Sequence, residues 1–183
     1  IAIAKYFSED NKKLFWVNWI CDIYTTVIRG IPITVLLLVF FYIILVSADG
    51  VTVAIIAFGI NSGAYMAELI RSGINAVDKG QMEAARSLGL SYWRSMFRVV
   101  LPQAIKNMIP SIVNQFIITL KDTSILSVIG FPELVNKAQN VIAITFKSFE
   151  TWAIVAVMYL VVILALQQVA NALERSLKRD RKK

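Results

Sequence analysis

TWAIVAVMYLVVILALQQVANAL, residues 151–173, runs for 23 positions without a charged side chain. A helix needs about 20 mostly apolar residues to cross the hydrocarbon core of a bilayer. Three further runs repeat the pattern less cleanly. Residues 30–48 (GIPITVLLLVFFYIILVSA) are charge-free for 19 positions, and residues 50–67 for 18 before Glu68 intervenes. Residues 107–120 are charge-free for only 14, but the apolar character resumes after Lys121 and Asp122 and continues to Phe131. Buried helices of a large soluble core would look similar, yet 183 residues do not suffice to surround four of them. The reading is an all-α membrane protein with four visible spans.

Composition agrees. The chain is 57% hydrophobic and 17% charged, against roughly 45–50% and about 25% in average soluble domains. That excludes disorder and most soluble enzymes. The absence of His and the single Cys21 exclude a His-based triad, a zinc site of the usual kind and any intrachain disulfide. A net charge of +7 would suit a nucleic-acid binder, but the basic residues flank apolar runs and form no basic face of a soluble domain. No nucleic-acid partner is expected.

The same residues orient the chain, because Lys and Arg accumulate in cytoplasmic connections. Residues 1–29 carry four, residues 71–106 six and residues 171–183 six, sixteen in all, whereas 48–50 carry none and 131–150 two. Both ends and the 71–106 loop are expected in the cytoplasm. Trp16, Trp19 and Trp152 fall near span ends, where amphipathic rings favour the interface. The opening IAIA before Lys5 looks like the tail of an earlier apolar segment, so a fifth, N-terminal span is expected to be truncated here. No secretory signal peptide is visible. Residues 1–175 read as one transmembrane domain with a cytoplasmic loop at 78–102, and 176–183 as a basic cytoplasmic tail.

That loop is too polar to insert. Met82 to Leu88 suits a short helix ended by Gly89, which can take the left-handed conformation. Ser91 can cap a second helix running towards Leu101. Leu88, Leu90, Trp93, Phe97 and Leu101 supply apolar contacts, and Arg86, Arg94 and Arg98 supply charge. Such a pair of helices either lies on the bilayer surface or docks a soluble partner.

Glu83, Ala84, Ala85, Gly89, Val99, Leu101 and Pro102 match the pattern E-A-A, three residues, Gly, nine residues, an aliphatic, one residue, Leu-Pro. With average residue usage a chance match is roughly one in several hundred thousand. The loop resembles the cytoplasmic EAA loop of the membrane subunits of bacterial ABC importers. Arg29-Gly30-Ile31-Pro32, Asn61 through Glu68, Leu101-Pro102-Gln103-Ala104 and Leu120 through Ser124 are similar to the polar-amino-acid uptake branch. The likeness covers about residues 22–175, and Ile31 departs from the usual Thr. The resemblance implies a type I importer transmembrane domain in a bacterial inner membrane. It also implies a homodimeric or heterodimeric pore, a separate ATPase subunit and an extracytoplasmic substrate-binding protein. The loop would fit a groove of the ATPase, with Glu83 and Gly89 central, and Arg86 beside them. The chain itself contains no G-x-x-x-x-G-K-[ST], so no cofactor is expected on it, and ATP and Mg are expected on the partner.

Polar residues within the spans are candidates for the substrate pathway. Asn61, Tyr65 and Glu68 share one helical face, with Ser62 beside them. Glu68 can hold a cationic substrate side chain, or pair with Arg71 three residues on. Gly59 and Gly63 suit a helix-packing face. In the third span, Gln103, Asn107, Ser111, Asn114, Lys121 and Asp122 fall within an arc of about 100°. Such a stripe faces a water-filled pathway or another helix. Thr123 and Ser124 could bond backbone groups freed by a helix break. The resemblance implies a polar amino acid as substrate, and the carboxylates Glu68 and Asp122 tilt the expectation towards arginine, lysine or histidine over glutamine. A self-contained secondary transporter or channel is the alternative, and it leaves the 82–102 loop unexplained. An intramembrane enzyme would need paired carboxylates that are not evident.

Overall fold

The structure is a computed structural model and describes residues 15–180. All regular structure among the described residues is helical. Helix α1 spans Phe15–Gly30, and α2 spans Ile33–Val39 and continues as a wide π-helical turn over Phe40–Ile44. Helix α3 covers Gly50–Asn75, α4 Lys79–Ser87 and α5 Tyr92–Ser95. A π-turn over Met96–Val100 leads into α6, Leu101–Asp122, which tightens to a 3-10 helix over Thr123–Ile129. Helix α7 covers Leu134–Thr145 and α8 Ser148–Asp180.

Three of these helical stretches are long and apolar enough to cross a membrane: Gly50–Asn75, Tyr92–Ile129 and Ser148–Arg175. The fourth expected span is not one helix. Trp16–Gly30 and Ile33–Ile44 qualify only as a pair, interrupted at Ile31 and Pro32. Proline disfavours helical backbone in the residue before it, so α1 stops at Gly30 and Pro32 becomes the N-cap position of α2. The apolar run 30–48 therefore begins at a helix end and not inside a helix.

Two other boundaries move. Helix α3 does not stop at the first charge; it continues through Glu68 and Arg71 to Asn75. The 131–150 connection contains α7, whose first turn is capped by Glu133, accepting from Val135 N–H at 2.8 Å and Asn136 N–H at 2.7 Å. Helix α8 runs unbroken to Asp180, so the backbone of 176–180 is helical.

The described residues divide into two compact units. One comprises residues 15–30, 63–113 and 174–180, the other 31–62 and 114–173. The first has a core of Ile74, Val77, Met96, Val100, Ala104 and Met108, against which Ile70, Met82, Tyr92 and Ile112 pack. Gly73 makes this core possible, because a Cβ there would lie 2.9 Å from Met108 Cβ. The core of the second is Leu37, Val53, Ala54, Ala57 and Leu126, surrounded by Phe40, Phe41, Phe58 and Phe131. Of the glycines expected to pack, Gly59 meets nothing within 4 Å, and Gly63 approaches only the Tyr24 hydroxyl, at 3.1 Å from an added Cβ.

Candidate functional site

The loop between α3 and α6 is a helix–turn–helix, as its sequence predicts, with an earlier start. Asp78 caps α4, its Oδ1 accepting from Gly80 N–H, so the helix begins at Lys79 and not at Met82. Leu88 ends it, and Gly89 comes next at φ +84, the left-handed turn expected there. Ser91 occupies the N-cap position of α5 but makes no side-chain cap; its carbonyl accepts from Ser95 N–H at 2.9 Å and Ser95 Oγ at 3.1 Å.

The Leu101-Pro102 pair shapes the backbone on both sides of it. Pro102 has no N–H for the Arg98 carbonyl, and a regular turn would press its ring against that carbonyl. The backbone widens instead: Leu101 N–H bonds the Met96 carbonyl, five residues back. Through this wide turn the second loop helix and the third span form one continuous helix, Tyr92–Ile129.

The loop's apolar residues divide into two sets. Met96, Val100 and Ala85 are buried, while Leu88, Trp93 and Phe97 stand exposed at 84%, 54% and 56%. Trp93 and Phe97 stack, with ring centroids 6.0 Å apart and planes 18° apart. Glu83, Ala84 and Arg86 are also exposed, as is Pro102, whereas Leu90 and Leu101 are half-buried. The exposed set is an aromatic and aliphatic face edged by charge. That is the composition of a docking surface more than of a solvated loop.

Span residues form a second constellation, of which sequence spacing showed only part. Glu68 pairs with Arg71 as the three-residue spacing suggested, Nη2 to Oε1 at 3.3 Å. Its other oxygen faces Arg29 Nη1 of α1 at 3.9 Å. The Arg29 guanidinium in turn lies over the Tyr65 ring, 5.2 Å from its centroid, where a cation is favoured. Arg29 was missed because 39 residues separate it from Glu68. Two guanidiniums thus face one carboxylate.

Asn61, Ser62, Asn114, Lys121, Asp122 and Thr123 belong to the other compact unit. Asn61 is buried and Ser62 half-buried on α3. Asn114 and Lys121 are exposed on α6, and Asp122 is half-buried. Thr123 does serve the helix transition, its hydroxyl donating to the Leu120 carbonyl at 2.6 Å. Gln103, expected on the polar stripe, is engaged elsewhere. Its Nε2 donates to the Val99 carbonyl and to Gln81 Oε1.

Apolar helices of spanning length and a helix–turn–helix continuous with one of them define the membrane component of a transport system. Residues 2–179 match the family described as binding-protein-dependent transport system inner membrane component, and the chain belongs to that family. It is 40% identical over 164 residues to the arginine transport system permease protein ArtQ of Bacillus subtilis (strain 168), covering 87% of this chain and 75% of that protein. It is 41% identical over 170 residues to the glutamine transport system permease protein GlnP of Escherichia coli (strain K12), covering 89% and 77%. Among solved structures, the crystal structure of an amino acid ABC transporter with histidines matches with TM-score 0.85 and 40% identity, over 96% of this chain and 81% of that one. An inward-facing conformation of the MetNI methionine ABC transporter matches with TM-score 0.74 at 18% identity, over 96% and 83%, and shares the fold. The fold is that of a type I ABC importer transmembrane domain.

Proposed function

We propose that this chain is a pore-forming permease subunit of an ATP-driven importer of polar amino acids, and that residues 78–102 seat on a separate ATPase subunit. The observation that carries this reading is the exposed, stacked pair Trp93 and Phe97 on a helix continuous with a span, with Leu88 exposed at the end of the helix before it. ATP and Mg belong to the ATPase. The permease assembles with a second copy of itself and receives substrate from an extracytoplasmic binding protein. Closure of the ATPases moves the loops and tilts the spans between inward-open and outward-open states. Each ligand biases that equilibrium only through its different affinity for the two states. The charge count supports both ends in the cytoplasm. The relatives named for arginine and glutamine support an amino-acid substrate. Arg29 and Arg71 already face Glu68 and suit the α-carboxylate that all amino acids share, so a preference for basic side chains rests more on Asp122 than on Glu68.

The test is reconstitution with the ATPase and binding protein in vesicles, scoring uptake and ATP hydrolysis together. Glu83→Ala and Gly89→Pro are expected to insert normally yet uncouple hydrolysis from uptake, because Pro fixes φ near −65° and forbids the left-handed turn at 89. Coupled uptake by the Gly89→Pro protein at the parent rate overturns the docking assignment. Competition by arginine and glutamine then decides the substrate class.

A further inference from the structure

Gln103 is the third residue of α6, directly after the Leu-Pro pair, and its side-chain NH2 makes two hydrogen bonds. A glutamine NH2 has two hydrogens. One goes to the Val99 carbonyl at 2.9 Å, inside the same wide turn, and the other to Gln81 Oε1 at 3.2 Å. Gln81 lies on α4, two residues before Glu83. The carbonyl of Val99 thus anchors the Gln103 side chain, and the side chain in turn grips α4 across 22 residues of sequence.

Elsewhere α4 rests on the span through Met82, against the core of Ile74, Met96, Val100 and Ala104. Apolar contact is non-directional and permits sliding along a helix surface. A hydrogen bond weakens steeply when its angle is lost, so it fixes register. We propose that Gln81 and Gln103 are positioning residues for coupling: their hydrogen bond locks α4 to the base of α6, so that loop and span move as one body. This role rests on the docking of residues 78–102 to an ATPase. Without the strut, force applied at Glu83 and the aromatic residues would be absorbed by α4 slipping, with Met82, over the core of Ile74, Met96, Val100 and Ala104, and would not reach α6. The pairing is chemically particular. Position 103 must donate twice, which Gln does and Leu does not, while position 81 need only accept.

Four variants test this: Gln103→Leu, Gln81→Leu, the double Leu variant, and Gln81→Glu, which keeps an acceptor oxygen. Two measurements are made on each. Hydrogen exchange of the α4 amides is read on the permease alone and is independent of any ATPase. Substrate imported per ATP hydrolysed is read in the reconstituted complex. We expect both single Leu variants to exchange faster in α4 and to lose coupling by about two- to tenfold, the range of a single net hydrogen bond. The double variant should be no worse than either single one, and Gln81→Glu should match the parent. Unchanged α4 exchange in Gln103→Leu, additive losses in the double variant, or a Gln81→Glu as impaired as Gln81→Leu overturns the strut. Faster exchange with an unchanged coupling ratio overturns its role in positioning. If the parent permease retains no ATPase, the docking assignment has failed, and the exchange measurement still decides whether α4 is locked.

Discussion

Helices α3 and α8 are both of spanning length and both apolar, yet they face different surroundings. Helix α3 buries Val53, Ala54, Ala57, Asn61, Ala64, Ala67 and Ile74 within the chain, and on α8 only Val155 is buried among the described side chains. The difference follows side-chain size. Alanine and glycine let helix backbones approach, and in a membrane this close packing replaces a hydrophobic drive that lipid does not supply. Helix α8 is instead covered with exposed Val, Leu and Ile, including Leu160, Val161 and Leu164. Of the three spanning helices, the one with the most apolar window is thus the least buried within its own chain. Apolarity marks what leaves water; small residues mark what meets another helix.

Enlarging the tightest helix contact puts this contrast under the greatest load. In Gly73→Leu the new Cβ would lie 2.9 Å from Met108 Cβ and 3.4 Å from the Ala104 carbonyl oxygen, so the helix backbones must separate. Overpacking of this kind costs about 1–3 kcal/mol or more. Thermal unfolding in detergent should show a lowered Tm and poor yield, and a parent-like Tm would mean that α3 and α6 part easily.

Next in size is Glu68→Gln, which leaves Arg29 and Arg71 without their shared carboxylate. With about a third of the Glu68 and Arg71 side chains exposed, solvent screening limits the stability loss to about 1 kcal/mol or less. Uptake of arginine and glutamine should fall by the same factor. A selective loss of arginine would return the cation-binding role to Glu68.

On α8, Leu160→Ala should change stability by no more than about 0.5 kcal/mol, as substitutions away from packed contacts usually do. A Tm drop as large as that of Gly73→Leu would show that a partner subunit covers this face.

The smallest effect concerns the start of α3. Asp49 accepts from the Thr52 hydroxyl at 2.6 Å, and from the Thr52 and Val51 N–H groups at 3.1 and 3.0 Å. These bonds, the Thr52 hydroxyl foremost, hold its carboxyl below the usual carboxylate range. A depressed folded pKa stabilises above the unfolded value, near about 3.9, and that contribution fades as pH falls through the folded value. The Tm of the parent should therefore slip on acidification below pH ~4 slightly more than that of Asp49→Asn, which caps without titrating. Identical pH profiles would show that ionisation of Asp49 adds no stability. At the start of α8, by contrast, the Thr151 N–H bonds the Lys147 carbonyl, a backbone contact that acid leaves untouched.

Much of the loop was legible. Gly89 between two short amphipathic segments can end a helix in only a few ways, and the left-handed turn is the cheapest for a residue without Cβ. Asp78 was legible too, as an N-cap residue, although the apolar pattern pointed to a start at Met82. Pro32 carried the break after α1 in plain view, but the charge-free run through it suggested continuity. Charge-free length is not helix length: Glu68 and Arg71 compensate each other three residues apart, and α3 continues through them as that spacing suggested. Gln103 shared an arc with Asn114 and Asp122, yet helical angle alone says nothing of what stands opposite.

Span length, charge asymmetry and the Glu83–Pro102 motif are local properties of the chain, and from the sequence alone they define an all-α membrane permease. Three features come into being only when the helices assemble. Arg29 shares Glu68 with Arg71, Gly73 and not Gly59 lets helices touch, and Gln103 reaches back to Gln81. Each of these depends on which helix lies alongside another. That choice is made by the fit of small residues and directional polar groups across tens of residues of sequence, and hydrophobic periodicity does not record it.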